Sequence, residues 1–267
     1  MISKPMIMGV LNITPDSFSD GGKYLHKDQA LRRALAMQKE GADVIDVGAE
    51  SSRPFAKPIS TQEELERLLP VLEALQGELS IPISVDTTKP QVMHAALQLG
   101  AAMINDINAL KTKESLEVVA KANCQVVLMH KLGEPALMQE NPLYKADVVD
   151  EILEFLLARA QECISFGIAK DRIWLDPGIG FGKTTQHNLM ILKKIKKLTN
   201  LNFPILVGVS RKTILHDITK QDVDNRLAAG LAVHTYLLQH GVAMIRTHDV
   251  RATKDAILML QAIIDLI

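Results

Sequence analysis

Short apolar runs alternate with amphipathic stretches along the whole chain. Pro5–Ile13, Val44–Val47, Ile83–Asp86, Met103–Ile107, Gln125–His130, Ile173–Leu175, Ile205–Val209 and Ala243–Arg246 read as strands buried on both faces. Between them apolar residues recur at helical spacing. Ala30, Leu31, Ala34 and Leu35 do so up to Gly41. Leu65, Leu68, Leu69 and Leu72 follow a capping-box pattern at Thr61 and Glu64. Further helices are expected at Pro90–Gly100, Glu114–Ala122, Val148–Phe166, His187–Leu198 and Arg226–His240, and a last one through Ala256, Ile257, Leu260 and Ile264. About eight strand–helix units in a chain of 267 residues predict an α/β protein, a (β/α)8 TIM barrel forming one domain over 1–267. A doubly wound sheet alternates in the same way but usually with fewer units. There is no linker or low-complexity segment.

The exits of these strands are polar. Trp174-Leu-Asp-Pro-Gly-Ile-Gly-Phe-Gly-Lys-Thr184 ends an apolar run in Asp176 and follows it with three glycines and a lysine. It is not a Walker A loop, because proline stands at 177 and only three residues separate Gly178 from Gly182. The glycines also miss the dinucleotide spacing. In a parallel barrel all strand exits share one face, where active sites are built. Asn12, Asp46, Asp86, Asn105, Asp176, Lys212 and Arg246 are therefore expected to converge.

One acid at a strand end is commonly a helix cap. Three at equivalent positions, with Asn105 beside them, would repel and rise in pKa unless a donor-rich partner met them. A heterocycle with amino and ring N–H groups on one edge is such a partner. Arg53, Lys212, Arg246 and His248 form a second, cationic set suited to an anion. Asn12 adds a neutral oxygen for Mg2+, a cation that keeps waters and takes substrate phosphates.

Composition narrows the classes. A net charge of -1 argues against broad nucleic-acid or membrane affinity. No apolar run approaches the ~20 residues that span a bilayer. Cys124 and Cys163 lack metal or redox spacing and are expected to be buried thiols. The opening residues lead straight to the first strand without a signal-like apolar region, which fits a cytoplasmic protein. No H-E-x-x-H or Cys/His cluster points to caged zinc. His94, His234 and His240 are expected to be structural or surface residues. The lysines 193, 194, 196 and 197 are expected to form a solvated face.

The chain resembles the dihydropteroate synthase family of folate biosynthesis. The resemblance runs from Met8-Gly-Val-Leu-Asn-Ile-Thr-Pro-Asp-Ser-Phe-Ser-Asp-Gly-Gly22 to His248-Asp-Val250. Between them lie Asp46-Val-Gly-Ala-Glu-Ser-Ser-Arg-Pro54, Ser84-Val-Asp-Thr87, Ile104-Asn-Asp106, Leu128-Met-His130, Leu175-Asp-Pro-Gly178, Phe181-Gly-Lys183 and Val207-Gly-Val-Ser-Arg-Lys212. It implies a transferase joining 6-hydroxymethyl-7,8-dihydropterin diphosphate to 4-aminobenzoate, with loss of diphosphate ahead of amine attack. It implies a pterin pocket of Asp46, Asp86, Asn105, Met129, Asp176, Phe181, Gly208 and Lys212. Diphosphate falls to Asn12, Arg246 and His248, with Mg2+ on Asn12. Aminobenzoate falls to Phe18, Ser52, Arg53, Pro54 and Ser210.

The resemblance also implies a homodimer and a target of sulfonamides. Ser52 replaces a usual Thr, Phe55 a usual Gly, and Lys131-Leu132 a usual Met-Gln. The rival readings are a silent pterin-binding regulatory barrel and a methyltransferase passing methyl from methyltetrahydrofolate to a corrinoid protein. The methyltransferase does not explain Ser210-Arg-Lys212 or the loop from Thr14 to Gly22, and the silent barrel does not explain Asn12, Arg246 and His248, because ring binding alone needs no diphosphate clamp.

Overall fold

The computed structural model describes residues 5–14, 23–51, 56–133, 138 and 142–264, with side chains of the first helix from residue 27 onward. Eight parallel strands alternate with helices. The strands are β1 Met6–Asn12, β2 Val44–Gly48, β3 Ile83–Asp86, β4 Met103–Asp106, β5 Gln125–Met129, β6 Ile173–Asp176, β7 Leu206–Gly208 and β8 Met244–Thr247. The helices described are α1 Lys23–Glu40, α2 Thr61–Leu75, α3 Pro90–Gln98, α4 Lys113–Lys121, α5 Val148–Ser165, α6 Thr185–Lys193, α7 Lys196–Thr199, α8 Thr213–Thr219, α9 Leu227–Gln239 and α10 Val250–Ile264. Each strand pairs with its neighbour, in the order β6-β5-β4-β3-β2-β1-β8-β7. A parallel bridge between Leu175 and Ile205 brings the two ends together. The fold is the expected (β/α)8 barrel.

Strand residues alternate between the barrel interior and the helix layer. Met8, Val44, Met103, Val127, Leu206 and Met244 form one apolar cluster, with Met6 and Trp174 against it. They plug the interior. The intervening positions, such as Ile45, Val85, Ile104, Leu128 and Val207, belong to a larger cluster shared with the helices. Two residues further along each strand from the plug come Asp46, Asn105, Met129, Asp176, Gly208 and Arg246. They share its parity and so face inward, one rung higher.

Local expectations hold with some corrections. The cap of α2 is Ser60, whose side chain accepts from the Glu63 amide, and not a Thr61–Glu64 box. Glu64 is buried and pairs with Lys89 at 2.5 Å. The stretch 187–198 is two helices, α6 and α7. The helix α8 was not expected from the sequence, being two turns long with too few positions to show a period. The lysine face is not simply solvated, because Lys194 pairs with Asp147 and Lys197 with Asp150, each at 2.5 Å. Both cysteines are free and buried. Among the described residues, no helix is long and apolar enough to cross a membrane.

Candidate active site

The inward rung places acids and cations within bonding distance of one another. Arg246 reaches from β8 across β1 to β2 and β3. Its Nε donates to Asp46 Oδ2 at 2.7 Å and its Nη2 to Asp86 Oδ2 at 2.8 Å. Asn105 donates to the same Asp46 oxygen at 3.0 Å. Asp46 is fully buried, and its Oδ1 has no hydrogen-bond partner among the described residues. The register explains this meeting: Asp86 pairs with Asn105 and Gly48, and Asp46 with Val10 of the strand that also pairs with β8.

The sequence separates Arg246, as an anion ligand, from the acids. The structure instead makes its guanidinium their counter-ion. Two of its five N–H donors are used by the acids, which leaves three without a partner among the described residues. Burial opposes its charge, but Asp46 and Asp86 outweigh burial and raise its pKa. Burial pushes Asp86 up to about 7, Arg246 opposes, and the Asp46 and Asp106 carboxylates add to the rise. Arg246 therefore stays cationic while Asp86 titrates near neutrality.

Asp176 closes the other side of the pocket. Burial raises its pKa, and Lys212 pulls it back. Its Oδ1 accepts the Gly178 amide at 2.7 Å, so part of its role is local. Lys212 donates to the Ile179 carbonyl at 2.5 Å and lies 4.8 Å above the Phe181 ring. Burial lowers it to about 8, against the attraction of Asp176. Its stem passes 3.4 Å from where a Cβ on Gly180 would sit.

The glycine loop after β6 is held through several of its backbone polar groups. The Ile179 carbonyl takes Lys212, that of Phe181 takes Lys183, and that of Gly182 takes the Tyr144 hydroxyl. The Gly180 amide donates to Asn188 at 2.8 Å. Gly178 and Gly182 have φ of 68° and 64°, and a Cβ on either would collide with a carbonyl oxygen, of His130 and Leu132 respectively. The glycines thus let this loop press against the exit of β5.

On the third side, Ser210 Oγ and His248 Nδ1 are 3.1 Å apart, and the Ser210 hydroxyl accepts the His248 amide. The space that a Cβ on Gly48 would fill lies 3.8 Å from both Asn12 Oδ1 and Asp86 Oδ2. Among the described residues no cluster of three His, Cys, Asp or Glu could cage a metal. The donors beside Gly48 are hard oxygens, which fit a Mg2+ ion that keeps most of its ligands from water and substrate.

Asp46, Asp86, Asn105, Met129, Asp176, Phe181, Gly208, Lys212, Asn12, Arg246, His248 and Ser210 all stand at the C-terminal ends of strands or in the loops that follow. Phe18, Ser52, Arg53 and Pro54 lie outside the described residues, as does Phe55. Sequence reasoning missed the Lys183–His130 contact of 2.9 Å beneath the loop. Its only signal was that Lys183 follows the glycines without serving a phosphate loop.

The model of a family described as pterin binding enzyme matches residues 8–248. The dihydropteroate synthase of Haemophilus influenzae is 42% identical over 261 residues, covering 98% of this chain and 94% of that protein. That of Escherichia coli K12 is 41% identical, covering 98% and 92%. A Yersinia pestis dihydropteroate synthase structure with a sulfonamide drug complex superposes with a TM-score of 0.93 at 40% identity, covering 99% of this chain and 96% of that one. The Xanthomonas albilineans enzyme in complex with 7,8-dihydropteroate gives 0.89 at 39%, covering 98% and 95%. With its barrel, its inward rung of acids and these matches over nearly its whole length, the chain belongs to the pterin-binding enzymes and, among them, to the dihydropteroate synthase family.

Proposed function

We propose that this chain condenses 6-hydroxymethyl-7,8-dihydropterin diphosphate with 4-aminobenzoate, releasing diphosphate and 7,8-dihydropteroate. The observation that carries the reading is the buried rung of Asp46, Asn105 and Asp176, with the partly buried Asp86 beside it, bordered by Lys212 and Arg246. A pterin edge offers amino and ring N–H donors to such carboxylates. Phe181, Met129 and Gly208 wall the ring, with Lys212 at the Phe181 face.

The diphosphate belongs at the rim with Asn12, Arg246 and His248. The three free N–H donors of Arg246 suit it, so one side chain ties the ring acids to the leaving group. Mg2+, when bound at Asn12 and phosphate oxygens, supplies further neutralisation of the departing charge. The chain's own residues hold the ring, and Asp86 and Asp176 favour positive charge on it as the carbon–oxygen bond breaks. The amine of 4-aminobenzoate then attacks the exocyclic carbon from a site that includes Ser210, with Phe18, Ser52, Arg53 and Pro54. No side chain need act as nucleophile.

The protein is proposed to work as a cytoplasmic homodimer. Leu189, Ile218, Val223 and Leu227 are exposed on and around α6, α8 and α9, which supports pairing through that flank. A monomer mass at micromolar concentration in sedimentation would overturn the dimer.

Diphosphate release with both substrates and Mg2+, repeated with a sulfonamide, tests the function. Release that requires all three and falls with the drug is the expected result. Pterin binding without release would turn the reading to the silent barrel.

A further inference from the structure

Lys183 is a buried lysine that the proposed reaction does not use. It is 2% exposed, and its Nζ meets three groups: His130 Nδ1 at 2.9 Å, the His130 carbonyl at 3.3 Å and the Phe181 carbonyl at 3.0 Å. His130 is itself 6% exposed, with the ring of Phe155 edge-on at a centroid distance of 5.0 Å and that of Tyr144 tilted at 6.1 Å.

Burial lowers the lysine pKa well below its usual value, and burial and then Lys183 hold His130 down at about 3. Lys183 Nζ donates to the two carbonyls and meets Nδ1 of a neutral imidazole, whose tautomer sets which of the two nitrogens donates.

The contacts join two strand exits. His130 follows β5 directly, and Phe181 and Lys183 belong to the loop after β6. Lys183 fixes the Phe181 backbone from below while Lys212 meets its ring from above. The loop's glycines supply no side chains to pack, so its position rests on the bonds its backbone makes. Lys183 adds a bond to the Phe181 carbonyl and two to His130, beside those that Tyr144, Asn188 and Lys212 make to the same loop.

We infer that Lys183 and His130 are a positioning pair, which holds Phe181 where its ring walls the pterin pocket. The inference rests on the pterin-site reading above. Neither residue is among those proposed to contact the substrates. They act on ring affinity through Phe181.

The test is titration calorimetry with 6-hydroxymethyl-7,8-dihydropterin diphosphate on the full chain, beside steady-state kinetics with both substrates. In Lys183→Met and His130→Leu the pterin Kd and KM should rise roughly tenfold, the size expected from one lost hydrogen bond. The KM for 4-aminobenzoate should hold within about twofold, the scatter of independent sites. His130→Asn keeps an amide near the Nδ1 position, which can donate or accept, and should restore pterin affinity. Added to Phe181→Leu, Lys183→Met should cost less than about twofold more, because the two act as one unit.

A merely structural role would lower the active fraction and kcat but leave the Kd of folded enzyme unchanged, and that result overturns the inference. So does full multiplication of the Lys183 and Phe181 effects. If Lys183→Met fails to fold, the difference between His130→Leu and His130→Asn decides alone. Failure of the wild-type chain to bind the pterin would instead sink the pterin-site reading itself.

Discussion

Arg246 and Asp46 stand 200 positions apart in sequence and 2.7 Å apart in the barrel, where the guanidinium joins the acids of one wall to the rim opposite. Asp46 is fully buried, while Arg246 keeps about a fifth of its side chain exposed. Removing the cation strands a buried carboxylate. Breaking such a pair costs about 3–5 kcal/mol. Arg246→Met should therefore lower the urea midpoint sharply as well as abolish turnover. Asp46→Asn added to Arg246→Met should recover part of the stability but none of the activity. A single variant as stable as wild type would show that the pair does not hold the empty pocket together.

The pocket should also imprint itself on stability against pH. Asp86 rises from 3.8 to about 7 on folding, so the folded chain binds its proton more tightly than the unfolded one. Its contribution is fully present below about pH 4 and is lost as pH rises through 7. Lys212 moves the other way, from 10.5 down to about 8. Its contribution is present above 10.5 and is lost as pH falls through 8. Between 7 and 8 both groups are charged while partly shielded from water, and stability from the pocket is at its lowest. Urea unfolding across pH 4 to 9 should give Asp86→Asn a flatter profile than wild type below 7. Parallel profiles would mean that Asp86 does not titrate in that window.

Much of this site was legible because parity is local. The plug residues Val44, Met103, Trp174, Leu206 and Met244 each precede a site residue by two positions. A strand fixes that both face the same way. The glycines of the β6 loop were legible as a tight turn for the same reason. What sequence could not give is the choice of partner. Nothing in the spacing of Arg246 says that it meets Asp46 and Asp86 before any anion, because barrel closure and register decide that. Lys183 read as a loop lysine, and its burial against His130 depends on how two loops meet. The Ser60 cap differs from the expected box by one residue, a distance at which several polar side chains compete.

The loop glycines are not equivalent to others with the same backbone. Gly77 has φ 83° and nothing within 4 Å of where a Cβ would sit, so alanine there meets only backbone strain. That strain is about 1–2 kcal/mol. Gly178 has φ 68° and the His130 carbonyl in the way. Gly178→Ala should destabilise by more than about 3 kcal/mol and weaken pterin binding, since a steric clash adds to the strain. Equal urea midpoints for the two variants would mean that the β6 loop does not depend on its contact with β5.

Asp176→Asn separates the local role of this residue from its chemical one. An asparagine oxygen can still accept the Gly178 amide, now held at 2.7 Å, so the loop should keep its place and the fold its stability. What is lost is the charge-assisted bond to the ring, worth about 1.5–3 kcal/mol, so the pterin Kd should rise roughly tenfold to a hundredfold. A second effect follows from the neighbouring lysine. Asp176 is the strongest attraction holding Lys212 up against burial. Without it, Lys212 falls further below about 8, and the alkaline limb of kcat/KM moves to lower pH. Calorimetry reads the first effect and a pH–rate profile the second. Weakened binding with an unmoved alkaline limb would mean that the limb belongs to a group other than Lys212. An unchanged Kd would remove Asp176 from the ring-binding wall.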